Sequence, residues 1–233
     1  SLGTSGTLFA YSDRPIVDKR SRIASFASST GGYLPLLCTM NCTVASENMR
    51  KLFSLSVDEF SAKASSSQIG SEGLVLLPYF NGERVPNYPN GEGVLAGMNM
   101  TNINEANIAR ATLEGVSFGF LLGLEAFKEA GFKPTSLALT GGGSNSALWR
   151  QIIADSTSLE VKVPVLKETA AFGAALQAFS AVSNVDITEV ANGHILFDET
   201  KTTKPNEKNK DLYMKAYQKW KNYSDTLKSI FAK

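Results

Sequence analysis

Two glycine-rich turns carry the residue types from which a nucleotide site can be built. Residues 1–7 read Ser-Leu-Gly-Thr-Ser-Gly-Thr, and residues 139–146 read Leu-Thr-Gly-Gly-Gly-Ser-Asn-Ser. Glycine lets the backbone approach a ligand closely, and a turn with unpaired N–H groups favours phosphate. Either turn alone is more often a plain connection between elements. Together they predict two halves of one nucleotide site.

The elements around these turns predict an α/β architecture. Short strands predominate up to residue 40, and strands alternate with helices from Leu137 to Ala181. This alternation predicts a right-handed crossover between parallel strands. Added to the earlier strands, it predicts a mixed sheet whose faces are covered by helices.

Three longer segments complete the prediction of secondary structure. Asn102, with Glu105 as its reciprocal partner, fits the N-cap of a long helix that ends at Gly131. Residues 184–205 are expected to be irregular. From Asp211 onward, apolar residues recur at helical spacing, which predicts an amphipathic helix packed on the domain.

Composition narrows the functional classes. The 233 residues carry a formal net charge of +1, so no global attraction to nucleic acid or to an anionic membrane is expected. Cys38, Cys42 and the remote His194 make a poor zinc site, and no metal held by protein side chains is expected. Reduced thiols and the lack of a recognisable signal peptide favour the cytoplasm.

The first residues already read as part of a β-hairpin. Ser1 and Leu2 fit one arm, and residues 8–11 fit the returning arm. A natural domain rarely begins inside a hairpin, so the chain is expected to be a piece of a longer polypeptide.

The sequence resembles the carboxyl-terminal half of the FGGY carbohydrate kinases, and within that family it is most similar to the xylulokinases. Residues 93–98 and the helical run at 107–114 resemble the two ends of the family's second signature. Residues 76–84, Leu-Leu-Pro-Tyr-Phe-Asn-Gly-Glu-Arg, are similar to the xylulokinase form of the preceding loop. The likeness runs in the family's order from Ser1 to about Ala181.

The resemblance implies a fold and a separation of nucleotide binding and sugar binding between two domains. The expected fold is the RNase H-like α/β fold of the actin and sugar-kinase superfamily, a mixed central sheet flanked by helices. Residues 1–233 are expected to form the C-terminal nucleotide-binding domain, with the N-terminal sugar-binding domain and the general-base aspartate lying outside this chain. The expected cofactors are ATP and Mg²⁺, the latter held mainly by the nucleotide.

The resemblance also assigns the candidate site residues. None of them is a catalytic acid or base. Glu83 and Arg84 are expected on the substrate side. The candidate nucleotide-binding residues are Gly3, Thr4, Ser5, Gly6, Gly141, Gly142, Gly143, Ser144, Asn145 and Ser146.

Backbone N–H groups and hydroxyls must hold the phosphates, because the chain has neither a Walker sequence nor the protein-kinase motifs. Thr4 and Ser5 each offer an amide and a hydroxyl. The glycines at 141–143 would let adenine and ribose lie flat against the main chain. Ser144, Asn145 or Ser146 could also cap the next helix.

The expected reaction is transfer of the ATP γ-phosphate to a sugar hydroxyl, with D-xylulose becoming D-xylulose 5-phosphate. Ribulose, gluconate or glycerol as substrate, and a non-catalytic nucleotide-binding module, remain open. The isolated chain is expected to be inactive. Residues 87–93 lack the family's usual Asp and Arg, and Ser146 replaces a common Asn, so sugar preference and one adenosine contact stay open. A homodimer is also left open.

An oxidoreductase is the remaining enzyme class. Gly141 and Gly143 after a strand resemble the start of a dinucleotide fingerprint. Its third glycine or alanine is Ser146 here, and Glu160 lies before the next strand instead of at its end. These two departures disfavour it.

Overall fold

A computed structural model describes residues 1–232, which contain seven strands and seven α-helices. The strands are β1 (Gly6–Phe9), β2 (Ala24–Ala27), β3 (Tyr33–Thr39), β4 (Val75–Pro78), β5 (Gly93–Ala96), β6 (Ser136–Ala138) and β7 (Glu160–Lys162). The helices are α1 (Thr43–Leu52), α2 (Val57–Ser66), α3 (Glu105–Glu129), α4 (Ala147–Thr157), α5 (Thr169–Ser183), α6 (Ile187–His194) and α7 (Lys210–Phe231).

The strands pair in three groups that mix both orientations. β3 lies between β1 and β2 and is antiparallel to both, and β4 is antiparallel to β5. β6 and β7 are parallel and are connected through α4, as the strand–helix alternation predicted. The N–H of Leu2 donates to the carbonyl of Thr140 at 2.7 Å, which connects the first group to the third. The mixed α/β architecture is therefore confirmed.

Helix α3 forms the centre of the molecule and packs against α2, α4 and β4. Its N-cap is Asn104, whose side chain accepts a hydrogen bond from the N–H of Asn107. The prediction of Asn102 as N-cap was wrong. The Asn102 amide is buried and donates to the carbonyls of Glu72 and Gly97, so it stabilises the preceding loop.

Helix α7 packs against β4 and α4, as its amphipathic pattern predicted. The indole of the buried Trp220 donates to the carbonyl of Leu76 at 3.1 Å. The hydroxyls of Tyr79 and Ser224 are 2.9 Å apart. These polar contacts are surrounded by buried aromatic rings, so the last helix is part of the core.

The segment 184–205 is not irregular throughout, and that prediction was wrong. Residues Ile187–His194 form α6, whose N-cap Asp186 accepts from the N–H of Thr188. The helix is only eight residues long, contains Gly193 and buries only Val190, so it is a short element for the sequence to signal. No helix among residues 1–232 is long and apolar enough to cross a membrane.

Candidate functional site

The two glycine turns lie side by side. Leu2 donates through its N–H to Thr140 at 2.7 Å and accepts from the N–H of Gly143 at 3.2 Å. Leu2 immediately precedes the first turn, and Thr140 and Gly143 belong to the second. The two turns are therefore direct neighbours in the structure.

The first turn, residues 3–6, is held by its carbonyl groups. The carbonyl of Gly3 accepts from both the N–H and the hydroxyl of Thr43, each at 2.9 Å. The carbonyl of Thr4 accepts from the N–H of Cys42 at 3.0 Å. Cys42 and Thr43 are at the N-terminus of α1, where helical N–H groups have no intrahelical acceptor. The carbonyl groups of the first turn thus accept hydrogen bonds from the N–H groups at the start of α1, so both sets of backbone groups are paired.

This arrangement leaves the amides of the first turn available. Thr4 and Ser5 are exposed, and none of the hydrogen bonds recorded within residues 1–232 uses their N–H groups or hydroxyls as donors. Successive free N–H groups on an exposed turn form a concavity suited to an anion. The turn can therefore bind a phosphate without first breaking an internal hydrogen bond.

Gly6 lies against the protein interior. A Cβ at this position would overlap the ring of Phe120 from α3 and lie 2.6 Å from the hydroxyl oxygen of Thr39. The structure thus requires a small residue here for packing, independently of any ligand. Gly3 is less restricted, since the nearest atom to its Cβ would be the carbonyl oxygen of Ser5 at 3.3 Å.

The three glycines of the second turn differ in what surrounds them. Gly141 has a φ of +88°, and a Cβ there would lie 2.6 Å from the carbonyl oxygen of Leu2. Gly143 is buried, and its Cβ would lie 2.8 Å from the Leu2 side chain. Gly142 is exposed, and a Cβ there would meet no atom within 4 Å. Only Gly142 faces open space.

The polar residues that follow brace the turn. The hydroxyl of Ser144 donates to the carbonyl of Gly141 at 2.7 Å, and Asn145 donates through its amide to Gly142 at 3.2 Å. Arg150 donates to the Ser144 carbonyl at 2.8 Å from beneath. Asn145 is exposed, so its side chain is the accessible polar group of this set.

Ser146 caps helix α4, since its hydroxyl accepts from the N–H of Trp149 at 3.2 Å. Of the three residues expected as possible caps, Ser146 is the one that caps the helix, and Ser144 and Asn145 are not. Both belong to the short helical turn at Gly142–Asn145, which ends one residue before the cap position.

A cleft of about 310 Å³ opens beside the second turn. One wall is formed by residues 139–142, with Ser144 and Asn145. The facing wall is formed by residues 163–169, with Lys201. That volume is within the range of small-molecule sites. Lys167 and Lys201 contribute positive charges to its lining and Glu168 a negative charge, and Lys201 is paired with Asp198 at 3.3 Å.

Sequence reasoning missed this second wall. Residues 163–169 carry neither a glycine turn nor a charge cluster that marks a site. Their position follows from the parallel pairing of β6 with β7, because the residues after both strands then meet at one edge.

Glu83 is buried and directed into the protein. Its carboxylate accepts from the N–H of Met40 at 2.6 Å, from the N–H of Arg84 at 2.8 Å and from the Asn41 amide at 3.2 Å. Burial raises the pKa of Glu83, and these hydrogen bonds oppose the rise. Arg84 is exposed on the same loop. Of the two residues, only Arg84 is accessible to a ligand.

The cysteines are separate thiols that form no metal site. Burial raises the pKa of the Cys42 thiol to about 12, so it is protonated at neutral pH. Among residues 1–232, no three His, Cys, Asp or Glu side chains are grouped so that they could hold a metal ion.

Comparison with known proteins identifies the family of this chain. Residues 1–182 match the profile of the C-terminal domain of the FGGY family of carbohydrate kinases. A xylulose kinase of Haemophilus influenzae is 38% identical over 220 residues, covering 94% of this chain and 45% of that protein. A gluconokinase of Bacillus subtilis is 30% identical over 202 residues, covering 80% of this chain and 39% of that protein.

Solved structures agree. The crystal structure of a xylulose kinase from Bifidobacterium adolescentis matches with a TM-score of 0.76 at 34% identity, covering 93% of this chain and 42% of that one. A ligand-bound xylulose kinase from Lactobacillus acidophilus, at 23% identity, has a TM-score of 0.91 and supports the fold alone. The chain spans about half the length of these relatives. It has the α/β fold of the sugar-kinase and actin superfamily and belongs to the FGGY family of carbohydrate kinases as its C-terminal domain.

Proposed function

We propose that this chain is the ATP-binding half of a carbohydrate kinase that transfers the γ-phosphate of ATP to a sugar hydroxyl. The observation that carries the proposal is the adjacency of a cleft and a free-amide turn. Gly142 faces the open cleft, and the exposed N–H groups of Thr4 and Ser5 lie on the neighbouring turn. Adenosine would occupy the cleft, and the phosphates would extend to the first turn.

The orientation rests on the free amides of the first turn and not on charge in the cleft. Lys167, Lys201 and Glu168 all line the cleft, and Lys201 is paired with Asp198 at 3.3 Å. Phosphoryl transfer requires mainly positioning and electrostatic stabilisation from the protein. Backbone amides satisfy both needs, because they are fixed donors that need no reorganisation when charge develops.

The residues present also fit Mg²⁺ held by the nucleotide. With no side-chain cluster for a metal among residues 1–232, phosphate oxygens and water would supply its ligands. When bound, Mg²⁺ supplies charge neutralisation at the phosphates. Thr4 and Ser5 would then fix the position of the phosphate chain through amide and hydroxyl donors.

The proposed sugar substrate is D-xylulose, because xylulose kinases are the relatives at 38% and 34% identity. Gluconate is the second candidate, because a gluconokinase is 30% identical. The sugar pocket and the general base would lie in the other half of the enzyme. A general base contributes about 10²–10⁴-fold to rate, and substrate positioning contributes more. The chain alone is therefore expected to be inactive.

Nucleotide binding is tested by calorimetry of the 233-residue chain with ADP and Mg²⁺. Gly142→Val should abolish the binding heat, because Gly142 lines the cleft and a Cβ there meets no protein atom within 4 Å, so the added side chain would occupy ligand space. Gly193→Val is the matched control, since a Cβ at Gly193 also meets no atom within 4 Å and lies in α6. Equal ADP affinity in the Gly142→Val variant and the unmodified chain would refute the site.

The reaction is tested separately with ATP and either D-xylulose or gluconate. The isolated chain should turn over neither sugar. In the complete enzyme, Thr4→Val should lower kcat more than it raises the KM for D-xylulose, because Thr4 acts on phosphate and not on the sugar. Turnover of D-xylulose by the pure 233-residue chain at enzyme-like rates would contradict the assignment of the general base to the other half.

A further inference from the structure

A buried carboxylate connects the loop before β5 to the segment that follows β3. One oxygen of Glu83, Oε1, accepts from the N–H of Met40 at 2.6 Å, and Oε2 accepts from the side-chain amide of Asn41 at 3.2 Å. The same amide of Asn41 also donates to the carbonyl of Gly82 at 2.8 Å. Residues 40 and 41 are therefore fixed from inside the protein by the loop that carries Glu83.

The next two residues of the same segment hold the first glycine turn. Cys42 donates through its N–H to the carbonyl of Thr4 at 3.0 Å. Thr43 donates to the carbonyl of Gly3 through both its N–H and its hydroxyl. Four consecutive residues thus connect the Glu83 carboxylate to the turn whose amides are free. Binding groups keep an exact position only when the groups behind them are themselves held by hydrogen bonds.

Glu83 projects from a fixed part of the core. Its backbone exchanges two hydrogen bonds with Tyr88, of 2.8 and 2.9 Å. Tyr88 is buried, and its hydroxyl donates to the carbonyl of Ser224 in α7 at 3.1 Å. Because the backbone of Glu83 is anchored in this way, its carboxylate can determine where residues 40–43 lie.

The polar groups at this contact are costly for stability alone. Glu83 is buried, yet none of the ion pairs recorded among residues 1–232 involves it. The side-chain carbonyl oxygen of Asn41 is also buried and has no hydrogen-bond partner within those residues. A buried charge without a cation and an unpaired buried oxygen both reduce stability. Proteins retain such groups mainly where a functional site needs them.

We propose that Glu83 is a positioning residue for the phosphate chain of the nucleotide. Its carboxylate fixes residues 40–43, and these residues hold the carbonyls of Gly3 and Thr4, so that the amides of Thr4 and Ser5 stay directed at the phosphates. The carboxylate is enclosed by the protein and would contact neither the nucleotide nor the sugar. The inference rests on the proposed function and adds to it a residue that acts through the first turn.

A purely structural role for Glu83 would have a different consequence. Adenosine would occupy the cleft beside the second turn, whereas the phosphates would bind the first turn. Loss of a positioning residue should therefore weaken the binding of ADP and leave the binding of adenosine unchanged. General destabilisation of the fold would weaken both ligands alike.

The test introduces Glu83→Gln into the 233-residue chain. Glutamine keeps one acceptor oxygen, but its amide would face the Asn41 amide, so that two donors would meet without an acceptor. NMR titrations with ADP plus Mg²⁺, and with adenosine, measure the two affinities. Hydrogen exchange of the Cys42 and Thr43 amides measures how firmly the turn is held.

Asp155→Asn is the matched control. Asp155 is also a buried carboxylate, and it accepts from the N–H of Asn206 and from the side-chain amides of Gln151 and Asn209. Those three donors lie in α4 and at residues 206–209, away from the first turn. The control therefore reports what the loss of a buried carboxylate does when the phosphate turn is not involved.

Glu83→Gln should weaken ADP binding about tenfold and change adenosine affinity by less than about twofold. Exchange at the Cys42 and Thr43 amides should become about tenfold faster, while the Trp149 amide at the α4 cap keeps its rate. Asp155→Asn should leave the ratio of the two affinities and exchange at the first turn unchanged. Equal weakening of ADP and adenosine, or equal ADP affinities in Glu83→Gln and the unmodified chain, would overturn the inference alone. An unmodified chain that binds no ADP would refute the proposed function and this inference with it.

Asn41→Ala decides the question if Glu83→Gln does not fold. This variant loses the bond to Oε2 of Glu83 and also the unpaired carbonyl oxygen, while the bond from Met40 remains. ADP binding should weaken about threefold, with adenosine binding unchanged. Undiminished ADP affinity in Asn41→Ala would overturn the proposed role of Glu83.

Discussion

The two glycine turns are similar in composition but are stabilised in different ways. The first is held from behind by the N-terminus of α1, through carbonyls that accept from Cys42 and Thr43. The second is held from within, by Ser144 and Asn145, and from beneath by Arg150. In the first turn the amides remain free. In the second, one glycine face remains open. The first turn therefore offers a ligand amide donors, and the second turn offers it open space.

The comparison also shows that a glycine can be required for reasons unrelated to a ligand. Gly6 and Gly143 make room for Phe120 and Leu2, and Gly141 adopts a backbone conformation that other residues rarely adopt. Of the three glycines in the second turn, only Gly142 has neither constraint. Substitutions can therefore separate folding from binding within a single run of three glycines.

The largest effect is expected for Gly141→Ala. Its positive φ and the nearby Leu2 carbonyl leave no room for a methyl group. We expect a loss of about 2–3 kcal/mol in the free energy of unfolding, measured by urea denaturation. The matched Gly142→Ala variant should stay within about 0.5 kcal/mol of the unmodified chain. Equal destabilisation of the two variants would show that the two glycines have the same role.

A smaller loss is expected for Gly6→Ala in the first turn. The methyl group would press on the Phe120 ring, and overpacking of this kind costs about 1–3 kcal/mol. Phe120→Leu in the same chain should recover part of the loss, because the ring edge in contact with residue 6 is removed. Thermal denaturation of both single variants and the double variant measures the coupling. Strict additivity would contradict a direct contact.

Thr43→Val tests the support behind the first turn. The variant loses the hydroxyl that donates to Gly3 at 2.9 Å but keeps the backbone bond. We expect a loss of about 0.5–1.5 kcal/mol in stability, together with weaker ADP binding in calorimetry. Ser146→Ala is the counterpart at the second turn and should cost about 1 kcal/mol through the α4 cap. Unchanged ADP affinity in Thr43→Val would show that the first turn does not bind the phosphates.

The smallest effect concerns pH. Burial raises the pKa of Glu83, so the folded state holds this proton at a higher pH than the unfolded chain does. The contribution of Glu83 to stability should therefore fall as pH rises from the ordinary carboxyl range through the raised pKa. Glu83→Gln should flatten that part of the profile, measured by urea denaturation at several pH values. An unchanged profile would show that Glu83 does not titrate in this range.

Local signals in the sequence predicted much of the fold. Ser56 and Glu59 form a reciprocal capping box at the start of α2, and a Ser followed three residues later by Glu is the sequence signature of that motif. Asn102 offered an equally good signal, but the helix begins after Asn104, and the Asn102 amide bonds to the carbonyls of Glu72 and Gly97. Helix α6 was missed because it has only eight residues and contains Gly193, a weak helix former.

The candidate site was less predictable. The glycine turns could be found because backbone conformation restricts residue type. The second wall of the cleft at residues 163–169 could not, because its position depends on strand pairing across the chain. The burial of Glu83 depends in the same way on a distant loop that brings Met40 and Asn41 to its carboxylate.

The packing of α7 has a consequence for the order in which the molecule is made. Trp220 bonds to a carbonyl 144 residues earlier, and Ser224 contacts a tyrosine 145 residues earlier. Closing a loop of this length costs conformational entropy before any stabilising contact forms, and this slows folding. During synthesis, β4 and the aromatic core beside it stay uncovered until the last helix has emerged from the ribosome. Chains that are cut short before Trp220 should therefore be substrates for chaperones and proteases.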